Sequence, residues 1–215
     1  YGSEAIFTPN IDRLASEGVK LTSFFASAPV CSPSRAGLLT GRYPTRTGIT
    51  NVLFPSENPL VSIPFHTIFR LPPGMDTREI TLGQAMKSAG YATCCIGKWH
   101  LGDEEKYRPH RRGFDYYFGL LYSNDMTPLR LYRMDEVVED HPVNQDYLTQ
   151  KYTIEALNFI KENHNKPFLL YLAHTSPHIP LHASPGFRGR SRGGLYGDCV
   201  EEIDFSTGEI LKTLD

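Results

Sequence analysis

Two short segments of the chain are apolar along their whole length, and they restrict the possible folds more than any other feature. They run from Tyr91 to Ile96 and from Phe168 to Ala173. A strand without a polar face must be covered on both sides, which is typical of parallel sheets with helices on either face. Helical patterns stand before and after these segments, at residues 8–18, 81–90, 146–161 and 195–214. The sequence therefore predicts an α/β fold with a mainly parallel sheet sandwiched by helices.

The starts of the predicted helices carry recognisable signals. Thr8 is a good N-cap and Pro9 suits the first turn, while Thr81-Leu-Gly-Gln84 has the form of a capping box. Ser32 and Pro33 are expected to be the cap and the first turn of a further short helix.

Three segments show no helical period. Residues 19–25 are expected to form a short β-like run. Residues 43–78 are rich in Pro, Asn, Ser and Thr and predict a long surface excursion, and residues 101–144 form a second irregular region.

Titratable residues stand directly after each apolar strand. Lys98 and His100 come after the first, and His174 and His178 come after the second. In open α/β sheets, ligands bind beyond the carboxyl ends of the strands. The sequence therefore predicts a functional site at that end of the sheet, toward which Lys98 and His100, two residues apart, could both project.

Charge and cysteine content exclude several classes of function. With 22 Lys and Arg against 24 Asp and Glu and no basic block, electrostatically driven nucleic-acid binding is not expected. The longest apolar run, Phe168–Ala173, is far shorter than the roughly 20 residues that cross a bilayer, so no membrane span is expected. The four cysteines lack the paired spacing of a zinc site and are too scattered for a disulfide scaffold. Cys94 and Cys95 are expected to be small buried side chains.

The pentapeptide Cys31-Ser-Pro-Ser-Arg35 is the feature that bears most on chemistry. Its cysteine stands just before a Pro-initiated helix, where free backbone N–H groups favour a negative charge, and Arg35 adds a permanent positive charge one turn on. An activated thiolate facing an oxyanionic substrate fits this pattern. A buried structural cysteine fits it equally well, and the pentapeptide alone leaves both open.

A longer string around the pentapeptide resembles the signature of a known family. Residues 31–42, Cys-Ser-Pro-Ser-Arg-Ala-Gly-Leu-Leu-Thr-Gly-Arg, resemble that of the type I sulfatases, arylsulfatase-like members of the alkaline phosphatase superfamily. Residues 8–14, 97–102, 175–180 and 197–204 also resemble family segments, in the family's order. The resemblance implies an alkaline phosphatase-like fold. Residues 1–215 would then be part of the N-terminal catalytic domain, without its first strand and carboxy-terminal part.

The resemblance implies that Cys31 is not itself the nucleophile. In the family a maturation enzyme oxidises this cysteine to Cα-formylglycine, whose hydrate offers two geminal hydroxyls. One hydroxyl attacks the sulfur of a sulfate ester, and the second then loses its proton as inorganic sulfate leaves. A covalent step of this kind divides one difficult displacement into two easier ones.

The resemblance also assigns roles to five other residues. Arg35 would hold the diol, Lys98 would contact sulfate oxygens, and His100 would contact the formylglycine hydroxyl. His178 would contact sulfate or the leaving oxygen, with Lys98 or His178 as the proton donor. Ser123, in a shorter match, would lie near bound sulfate. Converging cations suit the charge that develops on sulfuryl oxygens.

His178 is one of three neighbouring histidines, and the choice among them stays open. His174 and His182 flank it, and either could be the site residue. His178 is favoured because it precedes Ile-Pro, as the family's histidine precedes x-Pro.

The resemblance further implies one divalent cation, usually Ca²⁺, bound by the formylglycine and by Asp and Asn oxygens. The family takes those oxygens from an Asp-Asp pair and an Asp-Asn pair, and this chain has neither dipeptide. Cys31, as formylglycine, is then the only metal ligand expected from this chain, with the others outside it. The 215 residues alone are expected neither to bind the metal tightly nor to turn over.

Two other functions stay open beside sulfate ester hydrolysis. A phosphonate monoester or phosphodiester hydrolase could use the same formylglycine, because sulfur and phosphorus centres present similar tetrahedral oxyanions. A noncatalytic module could keep Cys31 as a thiol and bind an anion.

The expected partners follow from the resemblance. They are a sulfated small molecule or saccharide and the maturation enzyme. Because the chain has no Asn-x-Ser/Thr acceptor, a bacterial periplasmic or secreted location is favoured over a lysosomal one.

Overall fold

The computed structural model describes residues 2–215, which divide into two compact units. The sheet unit comprises residues 25–143 and 163–173. The helical unit comprises residues 2–24, 144–162 and 174–215.

The sheet unit contains one five-stranded sheet. Its strands are β1 (Ala92–Gly97), β2 (Tyr116–Leu120), β3 (Leu131–Arg133), β4 (Glu136–Glu139) and β5 (Phe168–Ala173), in the order β4-β3-β2-β1-β5. β1 is parallel to both β2 and β5, whereas β3 and β4 add an antiparallel hairpin at the far edge. The predicted apolar strands are confirmed, and β1 is buried at every position because it lies between two neighbours.

Four α-helices belong to this unit: α2 (Cys31–Thr40), α3 (Pro44–Thr47), α4 (Pro59–Phe69) and α5 (Leu82–Ser88). The capping box at the start of α5 is confirmed, since Thr81 Oγ1 accepts from the Gln84 N–H and Gln84 Oε1 accepts from the Thr81 N–H. Short 3₁₀ turns occur at Glu105–Tyr107 and Pro109–Arg112.

The core of the sheet unit is built around aromatic residues. Trp99 is fully buried, packs edge-on against Phe114, and donates from Nε1 to the Tyr107 carbonyl at 2.9 Å. Fully burying one large apolar side chain stabilises the fold by roughly 1.5–3 kcal/mol. Cys94 and Cys95 are fully buried, as predicted.

The helical unit contains α1 (Pro9–Glu17), α6 (Leu148–Asn163, apart from its last residue) and α7 (Gly194–Leu214), with a 3₁₀ turn at Gln145–Tyr147. Asp204 of α7 accepts from the backbone N–H groups of Asn10 and Ile11 at 3.3 and 2.8 Å. These are unpaired donors of the first turn of α1, so a carboxylate there offsets both the missing hydrogen bonds and the helix dipole.

Three expectations for the irregular segments are wrong. Residues 19–25 form no strand, and Val19 and Phe25 are 86% and 85% exposed because no described strand pairs with the segment. Residues 43–78 are not a plain surface excursion: they contain α3 and α4 and contribute Ile49, Leu53 and Met75 to the core. Residues 101–144 contain β2, β3 and β4.

The start of α2 also differs from the prediction. The helix begins at Cys31, and Val30 holds the N-cap position without a side-chain hydrogen bond. Ser32 cannot cap the helix, because its Oγ accepts from the N–H of Leu53 at 3.1 Å.

Among residues 2–215, no helix combines the length and the apolar character that crossing a membrane requires.

Candidate active site

Cys31 is the first residue of α2, and its side chain is half-buried. Together with Ser34, Arg35, Tyr171 and neighbouring apolar residues, it lines an open cavity of about 470 Å³. The first N–H groups of a helix have no partner within it, and the dipole favours negative charge at that end. The position therefore suits an anionic group beside residue 31.

Arg35 lies one turn further along α2. Its Nη1 donates to the backbone carbonyl of Lys98 at 2.5 Å, and its guanidinium also hydrogen-bonds the Tyr171 hydroxyl. Burial raises the pKa of Tyr171, so this phenol stays protonated at neutral pH. Arg35 thus connects α2 with the residue that follows β1 and with Tyr171 of β5.

Tyr171 is a site residue that the sequence did not reveal. It stands within the apolar run Phe168–Ala173, where an aromatic residue predicts only packing. The only sequence signal for a role in the site is that Tyr171 places a polar hydroxyl inside an otherwise apolar run.

Lys98 follows β1 through a turn at Gly97, which has φ of +103°. A Cβ at Gly97 would lie 2.0 Å from the Ala173 oxygen, so only glycine fits. The Lys98 N–H donates to that same oxygen at 2.8 Å.

The Lys98 side chain is almost completely buried, and its ammonium donates to Ser123 Oγ at 2.8 Å. Burial lowers the pKa of Lys98 to about 8, and Arg35 acts in the same direction. Cys31, by charge and by a side-chain hydrogen bond, and Asp125, by charge, act in the opposite direction. Lys98 therefore carries a proton at neutral pH but gives it up more readily than an exposed lysine.

Ser123 lies just beyond β2, in the turn closed by the hydrogen bond from the Met126 N–H to the Ser123 carbonyl at 3.1 Å. It is almost completely buried. Exposed Asp125 of the same turn is near enough to act on the Lys98 charge. The site thus includes an acidic residue that the resemblance did not supply.

His100 is fully buried and has φ of +62°, a conformation that residues with a Cβ rarely adopt. Its Nε2 lies 2.9 Å from the Leu53 carbonyl oxygen, and its ring meets Tyr122 edge-on at 5.5 Å between centroids. A strained backbone conformation of this kind persists only where the surrounding contacts stabilise it, and such positions are frequent at functional sites.

The three candidate histidines that follow β5 in the sequence belong to the helical unit. His178 is half-buried, its N–H donates to the Thr175 carbonyl at 3.3 Å, and its Nδ1 lies 2.6 Å from the Ile179 carbonyl. His182 pairs with Asp146 at 2.8 Å. Burial lowers the pKa of His174 to about 4, so this ring is neutral at physiological pH.

The structure brings four of the predicted site residues into direct contact. Arg35 bonds the Lys98 carbonyl, and the Lys98 side chain contacts both Cys31 and Ser123. His100 lies in the same unit and belongs to a separate buried network through Leu53. His178 is described only within the helical unit.

The residues around Cys31 do not by themselves form a calcium site. Arg35 lines the cavity and Lys98 contacts Cys31, and both are cations, whereas Ca²⁺ takes six to eight oxygen ligands. Across residues 2–215 there is no group of three or more His, Cys, Asp or Glu side chains that could hold a metal ion.

Comparison with known proteins identifies the family of the chain. The family model for sulfatases matches residues 1–215, and the chain belongs to the sulfatase family. The N-acetylgalactosamine-6-sulfatase of Sus scrofa is 41% identical over 231 residues, which cover 100% of this chain and 43% of that protein. The predicted family is thus confirmed.

Solved structures agree as well. The sulfatase PsFucS1 from Pseudoalteromonas sp. matches with a TM-score of 0.80 at 28% identity, over 98% of this chain and 47% of that one. A protein solved in complex with its substrate D-glucosamine-2-N,6-O-disulfate matches with a TM-score of 0.65 at 27% identity, over 88% of this chain and 33% of that one. The predicted α/β fold is thereby confirmed, and the chain spans less than half the length of these relatives.

Proposed function

We propose that the protein to which these residues belong hydrolyses sulfate esters, with Cys31 converted to Cα-formylglycine. One observation carries the proposal: the ammonium of buried Lys98 contacts both Ser123 Oγ and the residue 31 side chain, at the start of a helix. An oxyanion placed there would meet a positive charge, a hydroxyl and free backbone N–H groups together. Membership of the sulfatase family supports sulfur as the reacting centre.

The formylglycine, as its hydrate, would supply a hydroxyl nucleophile and a second hydroxyl whose deprotonation releases the sulfate. The half-buried position of Cys31 on the cavity fits a group that must meet a substrate. Arg35 is anchored by the Lys98 carbonyl and the Tyr171 hydroxyl, so its charge is fixed beside residue 31 rather than mobile.

Lys98 is assigned to the sulfate oxygens. Because burial has already removed water from its ammonium, its attraction for an oxyanion is less screened than that of a surface lysine. A pKa of about 8 also makes Lys98 a capable proton donor near neutral pH. Ser123 orients the ammonium and can also donate to a sulfate oxygen.

Further assignments rest on the family resemblance. His100 would contact the formylglycine hydroxyls, and His178 the sulfate or the leaving oxygen. A maturation enzyme would act on Cys31, and a calcium ion would take the formylglycine as one ligand. A periplasmic or secreted location stays favoured, with the lysosome as the alternative.

A sulfated saccharide is the proposed substrate class. Two comparisons support this choice: the relative named N-acetylgalactosamine-6-sulfatase, and the structure solved with D-glucosamine-2-N,6-O-disulfate as its substrate.

The test uses the full-length parent protein, produced with and without a maturation enzyme. Peptide mass spectrometry at residue 31 is combined with rates on an aryl sulfate, a sulfated monosaccharide and a matched aryl phosphonate monoester. Formylglycine together with preferred sulfate release supports the proposal, and a Cys31→Ala variant supplies the blank. A clear phosphonate preference would overturn it in favour of the phosphonate hydrolase. Anion binding without hydrolysis, with an intact thiol in cells that mature other sulfatases, would favour the binding module.

A further inference from the structure

A buried chain of hydrogen bonds joins the residue after Cys31 to His100 through the backbone of Leu53. Ser32 Oγ accepts from the Leu53 N–H at 3.1 Å, and His100 Nε2 lies 2.9 Å from the Leu53 carbonyl oxygen. All three residues are fully buried. These two hydrogen bonds therefore link α2 to the segment after β1 through Leu53, a residue of the loop between α3 and α4.

The hydrogen bond to the Leu53 carbonyl determines which nitrogen of the His100 ring carries the proton. A carbonyl oxygen can only accept a hydrogen bond, so Nε2 must be the protonated, donating nitrogen. In a neutral imidazole the other nitrogen, Nδ1, is then the basic one. The hydrogen bond at one ring nitrogen thus fixes the tautomer at the other.

Leu53 can fix the ring only if its own backbone is held in place. It lies in an irregular stretch of residues 48–58 between α3 and α4, where no strand pairing holds the chain. Its side chain packs in the core, and its N–H is bound by Ser32. Ser32 belongs to α2, the helix that begins at Cys31, so its hydrogen bond fixes the position of Leu53 relative to α2.

We propose that Ser32 is a positioning residue that holds His100, through Leu53, in the tautomer with the proton on Nε2 and the basic lone pair on Nδ1. The role of that lone pair in accepting a proton from the residue 31 hydroxyl rests on the proposed function. The assignment of the tautomer itself does not depend on the proposed function.

The first experiment reads the tautomer directly in the full-length parent protein. Histidine is labelled with ¹⁵N, and the His100 signals are assigned by their loss in a His100→Gln variant. The wild-type ring is expected to show a protonated Nε2 and an unprotonated Nδ1. Ser32→Ala is expected to broaden or mix these signals, whereas Ser32→Thr, which keeps the hydroxyl, is expected to restore them.

Thr47→Ala is the matched control. Thr47 is also buried, and its hydroxyl accepts from the Ile49 N–H of the same loop, but no hydrogen bond joins it to Leu53 or His100. This variant is expected to lower stability without changing the His100 signals. Unchanged tautomer signals in folded Ser32→Ala, or equal changes in Thr47→Ala, would overturn the proposal.

The second experiment measures kinetics of the mature parent protein, with the formylglycine content of each variant read by mass spectrometry. Ser32→Ala is expected to lower kcat about 10-fold at unchanged KM, because a misplaced base loses part of its roughly 10²–10⁴-fold contribution. Ser32→Thr is expected to recover the rate. A tautomer change without any loss of kcat would overturn the catalytic part of the proposal alone. A parent protein without sulfatase activity would overturn the proposed function and leave the tautomer result intact.

Discussion

Lys98 and Ser123, which stand beyond the ends of β1 and β2, are joined by a 2.8 Å hydrogen bond between two almost completely buried side chains. The bond holds a positive charge in a place from which water is largely excluded. Such an arrangement costs folding free energy and is retained where the charge has a task.

The cost of burying Lys98 should be visible in the pH dependence of stability. Its pKa is about 8 in the folded chain and 10.5 in the reference state, so the unfolded chain binds more protons between these values. The destabilisation is complete below about pH 8 and is relieved as the pH rises toward 10. Lys98→Met is therefore expected to gain on the order of 3 kcal/mol at pH 7, with a gain that shrinks above pH 8.

Urea unfolding of wild-type and Lys98→Met chains between pH 6 and about 10 measures this difference. Lys151→Met, in the other unit, serves as control. A gain that stays constant with pH would contradict the assigned pKa.

Arg35 should not be replaceable by lysine. A lysine cannot bond the Lys98 carbonyl and the Tyr171 hydroxyl in the same planar geometry, so the charge beside residue 31 becomes mobile. In the mature parent protein, Arg35→Lys is expected to lower kcat about 100-fold, comparable to the loss of one preorganised donor. Exposed Arg46→Lys is the control, and formylglycine content is measured in both variants. Equal rates in matured Arg35→Lys and wild type would refute the assignment.

Gly97 should be the least tolerant glycine of the site. Gly97→Ala combines a left-handed φ with a Cβ only 2.0 Å from the Ala173 oxygen, and is expected to cost roughly 3 kcal/mol or more. Gly90→Ala shares the positive φ but meets no atom within 4 Å, so its cost should be about 1 kcal/mol. Thermal unfolding of both variants measures the two losses of stability. Equal losses would contradict the prediction.

Asp198 of α7 should stabilise the preceding loop, residues 189–191, and this stabilisation should be lost at acid pH. Burial alone would raise its pKa, but hydrogen bonds from the Ser191, Gly189 and Arg190 N–H groups outweigh it and hold the pKa below the usual range. The stabilisation is therefore present above about pH 4 and is lost as the pH falls through the lowered folded pKa.

Asp198→Asn is accordingly expected to cost about 3 kcal/mol at pH 7, since several charge-assisted hydrogen bonds are weakened together. Urea unfolding at pH 7 and near pH 3 measures the cost. An equal cost at both values would show that the charge is not what holds the loop.

The sequence predicted those elements whose signal is local. β1 and β5 are apolar along their length, and the capping box at Thr81 depends only on residues three positions apart. Cys31, Arg35, Lys98 and Ser123 are predicted as site residues from the family signatures.

The missed features depend on contacts between distant residues. β2 forms by pairing with β1 and β3, not by a strong pattern of its own. The most buried positions of α7 include the acidic residues Asp198, Glu202 and Asp204, because each carboxylate accepts from backbone N–H groups elsewhere. Leu53 likewise joins Ser32 to His100 through its backbone, which no side-chain pattern reveals.

The central place of β1 also determines how the site opens. Beyond its last residue, the N–H groups of Lys98, Trp99 and His100 donate to carbonyls of Ala173, Leu120 and Leu121, at the ends of both neighbouring strands. To free all three amides, the ends of both neighbouring strands would have to move away from this segment. Their hydrogen exchange should therefore proceed only through near-complete unfolding of the sheet, as slowly as that of the core strands. The residues of the proposed active site would then belong to the slowest-exchanging part of the chain.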